Sequence, residues 1–387
     1  MCRRRRHLLL ERLAAVLACA AVAAGLQSSA PSSRSSSSPS PRGGGGVVAL
    51  AALRRSSSSL TKASAATTTT TAETLAWPDE ISAERPLRVV IAGAGVGGLT
   101  LANALRRLPH VDVQVLEKTS EFRRFGGPIQ LASNAMELMK TIDEGMFADI
   151  VDKFTWTGNL TNGIKDGVRD EWYAKFDLKT PAEERSMPFT GVIERPELQS
   201  ILLDHLPTSA TVFKGSEVTS FAEECDLDEQ TCPVVVDISD GRRVGADVLV
   251  GADGIWSEVR ASMRNEPAKG DGSGVSYSGY TVFAGELDYA SPDEGDVGYK
   301  VYIGPAQYFV ITNVGPGRYQ WYAFLARPPG SAAAAAAGDE SAAKGQGGPA
   351  AYLKGIFDGW SKDVHAILDA TTDDQIEQRD LYDRPPS

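Results

Sequence analysis

The chain has 387 residues, with 39 Lys and Arg against 50 Asp and Glu and a formal net charge of −11. Residues 1–72 hold ten basic residues and one acid, so the remaining 315 carry 29 basic against 49 acidic residues, about −20. A body of that sign repels phosphate backbones, which excludes a nucleic-acid binder, and its length suits about two domains with a large core.

In chain order, Arg3–Arg6 form a basic n-region and Leu13–Leu26 an apolar stretch too short to span a bilayer comfortably, so residues 1–26 are expected to be a cleaved signal peptide. Residues 27–80 are rich in Ser, Thr, Ala and Gly, with scattered Arg and no acid from Gln27 to Ala72. This tract resembles a plastid transit peptide, and behind a signal peptide it suits a plastid enclosed by extra membranes. A secreted or merely disordered leader is the alternative.

Leu87–Ala92 is a short apolar, β-branched run that predicts a buried parallel strand. Directly behind it, Gly93, Gly95 and Gly98 stand in the spacing GxGxxG, and Leu99–Leu108 follows with helical periodicity. Gly93 permits a sharp turn, Gly95 a close approach of the backbone to a pyrophosphate, and Gly98 close helix-to-strand packing. The helix start offers free N–H groups and its positive dipole end to phosphate. A second strand, Val111–Leu116, ends at Glu117, whose carboxylate can accept bonds from both ribose hydroxyls of an adenosine. This order of strand, glycine turn, helix, strand and acid points to a dinucleotide site; a glycine-rich turn alone leaves the acid unexplained.

Further on, Gly126, Gly127 and Pro128 predict a turn, and Ser133 or Asn134 a helix cap for a helix reaching Lys140. Residues 150–185 alternate aromatic and polar side chains (Trp156, Trp172, Tyr173, Phe176), as in antiparallel strands over a pocket, and such a stripe is more often core than ligand contact. Arg195 opens a helix with Pro196 in its first turn; in that context it is either a phosphate contact or a solvated charge. Thr211–Phe221 and Pro233–Ser239 read as strands, with Asp240-Gly241 turning a hairpin. Cys225 and Cys232 lie in an acidic segment with no further Cys or His nearby, two unrelated thiols or a disulfide.

The second informative stretch is DVLVGADGIWSEVR, Asp247–Arg260. An apolar strand there delivers Asp253-Gly254 to its C-terminal tip, where open α/β sheets bind ligands, and a helix containing Ser257 and Arg260 follows. Ser276–Phe324 shows period-2 alternation rich in Tyr, Val and Phe, expected to form an antiparallel second sheet with a mostly apolar wall. Pro328–Pro349 reads as a disordered insertion, and Ala350–Leu368 as one amphipathic helix. His110, His205 and His365 form no triad and no metal cluster.

With both motifs in hand, the body resembles the group A flavoprotein monooxygenases, and within them the zeaxanthin epoxidases. GAGVGGL and GADGIWSEVR fit the whole superfamily. More specific are GPIQLASNA (Gly127–Ala135), WYAKFDLKTPA (Trp172–Ala182), YSGYTVFAG (Tyr277–Gly285), QYFVITNVGPGRYQWYAF (Gln307–Phe324) and IFDGW (Ile356–Trp360). The resemblance covers roughly Leu87–Pro385. It implies an α/β fold, a Rossmann-like FAD-binding domain with an inserted antiparallel β-sheet substrate domain. The expected division is FAD-binding at 87–160 and 191–265, substrate domain at 161–190 and 266–327, a low-complexity insertion at 328–349, and a helix and chain end at 350–387.

The resemblance further places Gly93, Ala94, Gly95, Gly97, Gly98, Glu117 and Lys118 on the ADP half of FAD, Arg195 near the cofactor, and Asp253-Gly254 in a motif associated with FAD and NADPH. It implies that NADPH reduces the flavin, that O2 adds to give a C4a-hydroperoxide, and that zeaxanthin is epoxidised to antheraxanthin and violaxanthin. It implies no metal, and no catalytic residue is assigned, because the reactive oxygen rides on the cofactor and the protein supplies orientation and water exclusion. A carotenoid substrate also implies a long apolar tunnel open to the thylakoid membrane and peripheral contact with it. A flavin hydroxylase of a small aromatic, a non-catalytic flavin-binding remnant and a nicotinamide dehydrogenase are the other readings of the same fingerprint.

Two departures from the family pattern stand out. An Arg generally precedes the GPIQ run, where this chain has Gly126; Arg123 and Arg124 lie just upstream, and Arg124 is the candidate to take over the contact. The family also continues past the DRPP-like segment into a strand and a GD-containing motif on the flavin ribityl, so a truncated, damaged cofactor site is expected.

Overall fold

The computed structural model describes residues 49–50, 81–122, 127–207, 211–224, 233–331 and 348–385. The described residues form two compact units, one holding 49–50, 81–122 and 206–273, the other 127–205 and 274–385. The chain re-enters the first unit at Leu206, rather than at the expected 191, and it leaves that unit after Phe122. The expected insertion, residues 332–347, and Cys225 and Cys232 lie outside the described residues, as does all of the leader except Ala49–Leu50.

The first unit is built on a sheet of β1 (Ala49–Leu50), β2 (Leu87–Ala92), β3 (Val111–Glu117), β9 (Val212–Lys214) and β13 (Val248–Gly251), in the order β1-β13-β2-β3-β9. Strands β13, β2, β3 and β9 are parallel, and five of the six β2 residues are buried, as a strand covered on both faces requires. Val90, Ala92, Leu116 and Leu249 share one core with Val218, Val236, Ile238 and Ala246, contributed by the meander β10 (Val218–Glu223), β11 (Val234–Ile238) and β12 (Arg243–Ala246). Asp240-Gly241 turns the β11–β12 hairpin as expected, with Gly241 at φ +88°. The register of β2 against β13 is pinned at its base, where Arg88 donates to both carboxylate oxygens of Asp247 at 3.3 and 3.0 Å. Because β3 and β13 lie on opposite sides of β2, the chain reverses direction across the sheet there, and the crevice opens at the strands' C-terminal ends.

Helix α1 is Val96–Leu105, three residues earlier at each end than Leu99–Leu108. It starts inside the glycine run because Gly98 must pack against Gly93, and it stops short of Leu108 because Pro109 disfavours helical geometry at the residue before it. Leu99, Ala102 and Leu105 are fully buried.

The second unit holds a seven-stranded sheet in the order β18-β14-β17-β16-β15-β6-β7, formed by β6 (Thr161–Asp166), β7 (Trp172–Phe176), β14 (Ser276–Asp288), β15 (Val297–Gly304), β16 (Gln307–Gly315), β17 (Arg318–Ala326) and β18 (Glu377–Asp383). All pairings are antiparallel except β6 with β15. Residues 150–185 are thus only partly strand: they also hold the end of a helix, Glu144–Asp152, and a further helix, Lys179–Glu184. Nor is the β7 aromatic stripe core. As an edge strand, β7 leaves Trp172 half-buried and Tyr173 and Phe176 exposed.

One face of the large sheet is the core. Phe283, Tyr302, Phe309, Trp321, Ala323 and Leu325 pack against Leu353, Phe357, Trp360, Val364 and Leu368, with Phe309 stacked on Trp321 and Phe357 edge-on to Phe309 and Trp360. Each such large side chain contributes on the order of 2 kcal/mol. The covering segment is two helices, Gly348–Ile356 and Lys362–Ala370, and not the single helix expected. The chain reverses in IFDGW because Gly359 takes φ +75° and Trp360 turns inward onto Phe357, its ring lying so close to Gly167 and Gly304 that either would clash through a Cβ. A small sheet, Ile129–Leu131, Gly191–Ile193 and Thr155–Trp156, completes the unit. The helix after its first strand, Ser133–Ile142, is not capped by Ser133 or Asn134. Ala132 holds the cap position, and the Ser133 hydroxyl instead meets that of Thr190 at 3.4 Å.

Candidate cofactor site

The glycine turn joins β2 to α1. Gly93 has φ +102°, and a Cβ there would lie 2.4 Å from the Ala252 carbonyl oxygen, so only glycine fits. Its N–H donates to the Leu116 carbonyl at 2.7 Å. A Cβ on Gly98 would sit 2.0 Å from the Gly93 oxygen, the close helix-to-strand approach that the spacing predicts. Gly95 is different in kind: no atom lies within 4 Å of where its Cβ would be. It is the N-cap of α1, and no side chain caps it, so the first turn of the helix faces an open cradle lined by backbone N–H groups. Gly97 is the second residue of the helix and is half-buried.

Glu117 closes β3 with its carboxylate turned to that cradle. Its Oε2 accepts the Ala94 N–H at 2.8 Å, and its Oε1 accepts the backbone N–H and hydroxyl of Thr119, both at 2.9 Å. The side chain is 9% exposed. Three of the carboxylate's roughly four lone-pair sites are filled, both of Oε1's by Thr119, so Oε2 keeps one for a further donor such as a ribose hydroxyl. Thr119, which locks this rotamer, escaped the sequence reading; a hydroxyl two residues after a terminal acid was the available signal. Lys118, next along, is exposed.

At the tip of β13 the chain runs Ala252-Asp253-Gly254. Asp253 Oδ2 accepts the backbone N–H groups of Glu258 and Val259 at 2.8 and 3.2 Å, at the start of the helix α6 (Glu258–Arg264), whose N-cap is Ser257. Its Oδ1 is buried and has no protein partner among the described residues. Such an atom costs free energy unless a ligand or water satisfies it. Gly254 has φ +87° and open space around it. The Ala252 carbonyl against Gly93, 159 residues apart in sequence (252 − 93), brings the two motifs into one crevice. Buried Arg260 donates to the Ile255 carbonyl at 2.9 Å and holds the intervening loop.

These features fit the ADP part of FAD: an uncapped helix start for phosphate, a fixed carboxylate oxygen with room for a ribose hydroxyl, glycines where side chains would intrude, and a buried oxygen awaiting a donor. Arg195 belongs to the second unit, at the start of the helix Arg195–Asp204, and is exposed. Glu194 before it is held by Arg318 Nη2 at 2.7 Å, and the same guanidinium also bonds Glu286. Arg124 and Gly126 lie outside the described residues. Gly127 packs on the buried amide of Gln320, where a Cβ would stand 1.9 Å from Nε2. Tyr322 donates to Gln320 Oε1 at 2.5 Å, and burial pushes the Tyr322 phenol up to about 12. Sequence reading missed this corner, because Gln320 and Tyr322 stand out only once β17's alternate residues are assigned to a face.

Among the described residues, no group of His, Cys, Asp and Glu is placed to hold a metal ion, and no helix is long and apolar enough to cross a membrane. A family model described as "FAD binding domain" matches residues 86–332. The chloroplastic zeaxanthin epoxidase of Oryza sativa subsp. japonica is 38% identical over 304 residues, 78% of this chain and 42% of that protein. That of Arabidopsis thaliana is 38% identical over 296 residues, 76% and 41% of the two chains. The chain therefore spans less than half the length of these curated relatives. Among solved structures, Klebsiella pneumoniae HpxO complexed with FAD and uric acid superposes with a TM-score of 0.61 at 22% identity, covering 78% of this chain and 69% of that one. A salicylate hydroxylase substrate complex gives 0.59 at 18% identity, covering 78% and 69%. At those identities the likeness is one of fold. The matched family model, the glycine turn with its facing acid and the run of epoxidase relatives lead to one assignment: the chain belongs to the FAD-binding domain family of flavoproteins, in its zeaxanthin epoxidase-like branch.

Proposed function

We propose that this chain is the flavin-binding and substrate-facing part of a plastid monooxygenase that inserts one atom of O2 into a ring double bond of zeaxanthin, with NADPH as reductant. The observation that carries the reading is Glu117: its carboxylate faces the glycine turn, bonded to the Ala94 N–H, beside a cradle left open at Gly95. Gly93–Gly98, Glu117, Asp253 and Gly254 would hold FAD on its ADP side, with Lys118, Arg124 and Arg195 as candidate phosphate or ribityl contacts. When bound, FAD supplies the redox chemistry that activates O2. The chain's own residues do the rest. Glu117 orients the ribose, the start of α1 neutralises pyrophosphate charge, and the face of the large sheet opposite its helix-covered core, with Tyr308 stacked on Phe324, would give an apolar substrate a dry surface.

The names of the relatives support zeaxanthin and the chloroplast, and the acid-free tract Gln27–Ala72 supports a plastid address. An apolar substrate dissolved in lipid further favours peripheral contact with the thylakoid surface. The test is purification of the full chain with FAD, followed by NADPH-dependent oxygen uptake with zeaxanthin and with simple phenols, the products read by mass. Gain of one oxygen by zeaxanthin is expected. Turnover of phenols alone would make the chain an aromatic hydroxylase, and absence of bound flavin would make it a non-catalytic remnant.

A further inference from the structure

The two sides of the first unit's sheet are finished differently. β9, the strand at one edge, has Val212 and Phe213 half-buried and Lys214 exposed, as befits a strand that meets water. β13, on the other side, is buried from Leu249 to Gly251, and Leu249 and Val250 are fully inaccessible. The outward backbone N–H and C=O groups of a strand need partners, and burial makes their absence costly. Beyond β13 the described residues supply one neighbour, Ala49–Leu50, which runs antiparallel with Ala49 opposite Gly251 and Leu50 opposite Val250. An antiparallel edge strand on an otherwise parallel sheet is a common arrangement.

The sequence around that pair is unlike the tract it interrupts. From Gln27 to Ala72 the chain is mostly Ser, Thr, Ala, Gly and Pro with scattered Arg, and VVALAAL, residues 47–53, is its only run of more than two hydrophobic residues. Four glycines, 43–46, precede the run, and Arg54 and Arg55 follow it. A targeting tract is marked by Arg and Ser and by a lack of acid, and has no use for a β-branched apolar run bounded by turn residues and charge; a strand does. The composition and the backbone pairing are independent, and they meet at the same two residues. The position also matters for the cofactor crevice, because Gly251 leads directly into Ala252, Asp253 and Gly254, and the Ala252 carbonyl closes on Gly93.

We propose that the outer edge of β13 is a strand-accepting surface whose occupant is Ala49–Leu50 of the same chain, and that this pair stays with the folded protein, so that removal of the targeting leader falls upstream of it. The pair satisfies backbone groups of a buried strand and holds β13 where its tip presents Asp253 and Gly254 to the crevice. A segment read from composition as discarded leader thus becomes part of the cofactor-binding unit. No substrate, reductant or product enters this inference, so it stands or falls apart from the proposed function.

The experiment uses the full chain. Residues directly opposed in an antiparallel pair are close enough at Cβ for a disulfide to join them after a small adjustment. Leu50→Cys combined with Val250→Cys is expected to form an intramolecular disulfide under mild oxidation, identified by the mass of the linked peptides, whereas Leu60→Cys combined with Val250→Cys is expected to form none. No link in the first pair, equal links in both pairs, or a link only between two chains overturns the assignment. Amide exchange then reads the edge itself. Leu50→Pro removes the backbone donor and cannot extend a ladder, and is expected to speed exchange across Val248–Gly251 by about tenfold or more, with Leu60→Pro matching wild type. Equal exchange in Leu50→Pro and wild type, or a processed protein isolated from its source whose first residue lies beyond Leu50, overturns the proposal.

Discussion

At the scale of single residues, the glycines of the turn divide by what surrounds them. Gly93→Ala puts a methyl group 2.4 Å from a carbonyl oxygen at φ +102° and is expected to destabilise the fold by about 3 kcal/mol or more in urea unfolding. Gly95→Ala, at φ −73° with empty space around it, is expected to change stability by less than about 1 kcal/mol while weakening FAD binding in a flavin titration. That contrast separates a glycine needed by the fold from one needed by the ligand. Asp166 offers a pH handle at the same scale. The Tyr173 hydroxyl first, then the Arg169 and Val168 N–H groups, lower its pKa to about 2. Its folded value lies below its unfolded one, so its contribution is present above the ordinary carboxylate range and lost as pH falls toward about 2. Tyr173→Phe should move the Asp166 titration upward in a carboxylate-resolved NMR experiment.

At the scale of elements, the joint between β15 and the helix Lys362–Ala370 is polar where the rest of that face is aromatic. Lys300 is buried and bonds Asp293 at 2.8 Å and Asp363 at 2.5 Å, and Tyr302 donates to Asp363 at 2.7 Å. Burial pushes the Lys300 ammonium down, but the two carboxylates outweigh it and hold the value above the ordinary one. Burial likewise raises Asp363, yet the Lys300 and Tyr302 bonds leave it lowered. The lysine's contribution is therefore complete below its unfolded value and lost as pH rises through the raised one. The aspartate's is complete above the ordinary carboxylate value and lost on acidification. Lys300→Met strands two carboxylates and is expected to cost roughly 3 kcal/mol near neutral pH, a cost that shrinks as acidification protonates them, read by urea unfolding followed by circular dichroism across pH. A cluster of this kind tethers a helix without enlarging the core.

At the scale of the whole molecule, FAD that binds only the folded chain must stabilise it by mass action. About 3 kcal/mol is expected at a hundredfold excess over Kd, seen as a concentration-dependent rise in Tm that Gly95→Ala shifts to higher FAD concentration. Much of the first unit was legible in the sequence. Strand, glycine turn, helix, strand and acid are local, each set by periodicity or by a residue whose backbone or carboxylate has one sensible use, and β2 and β3 lie where Leu87–Ala92 and Val111–Glu117 predict them. Most of the second sheet's strands were legible too, from alternation, but β18 was not: Glu377–Asp383 fell in the stretch read as a helix and chain end. What local pattern left open is what depends on distant partners. The start of α1 is decided by Gly98 against Gly93, the break in the C-terminal helix by Trp360 on Phe357, and the missing Ser133 cap by Thr190. The sequence by itself determined that a dinucleotide-binding turn exists and which residues compose it. Only the tertiary structure decided that Ala252 closes against Gly93, that Thr119 fixes Glu117, and that Val282, Phe324, Tyr308 and Ile303 form one row. Strand alternation assigns a face within one strand, but neighbours across a sheet follow from register, which long-range pairing sets.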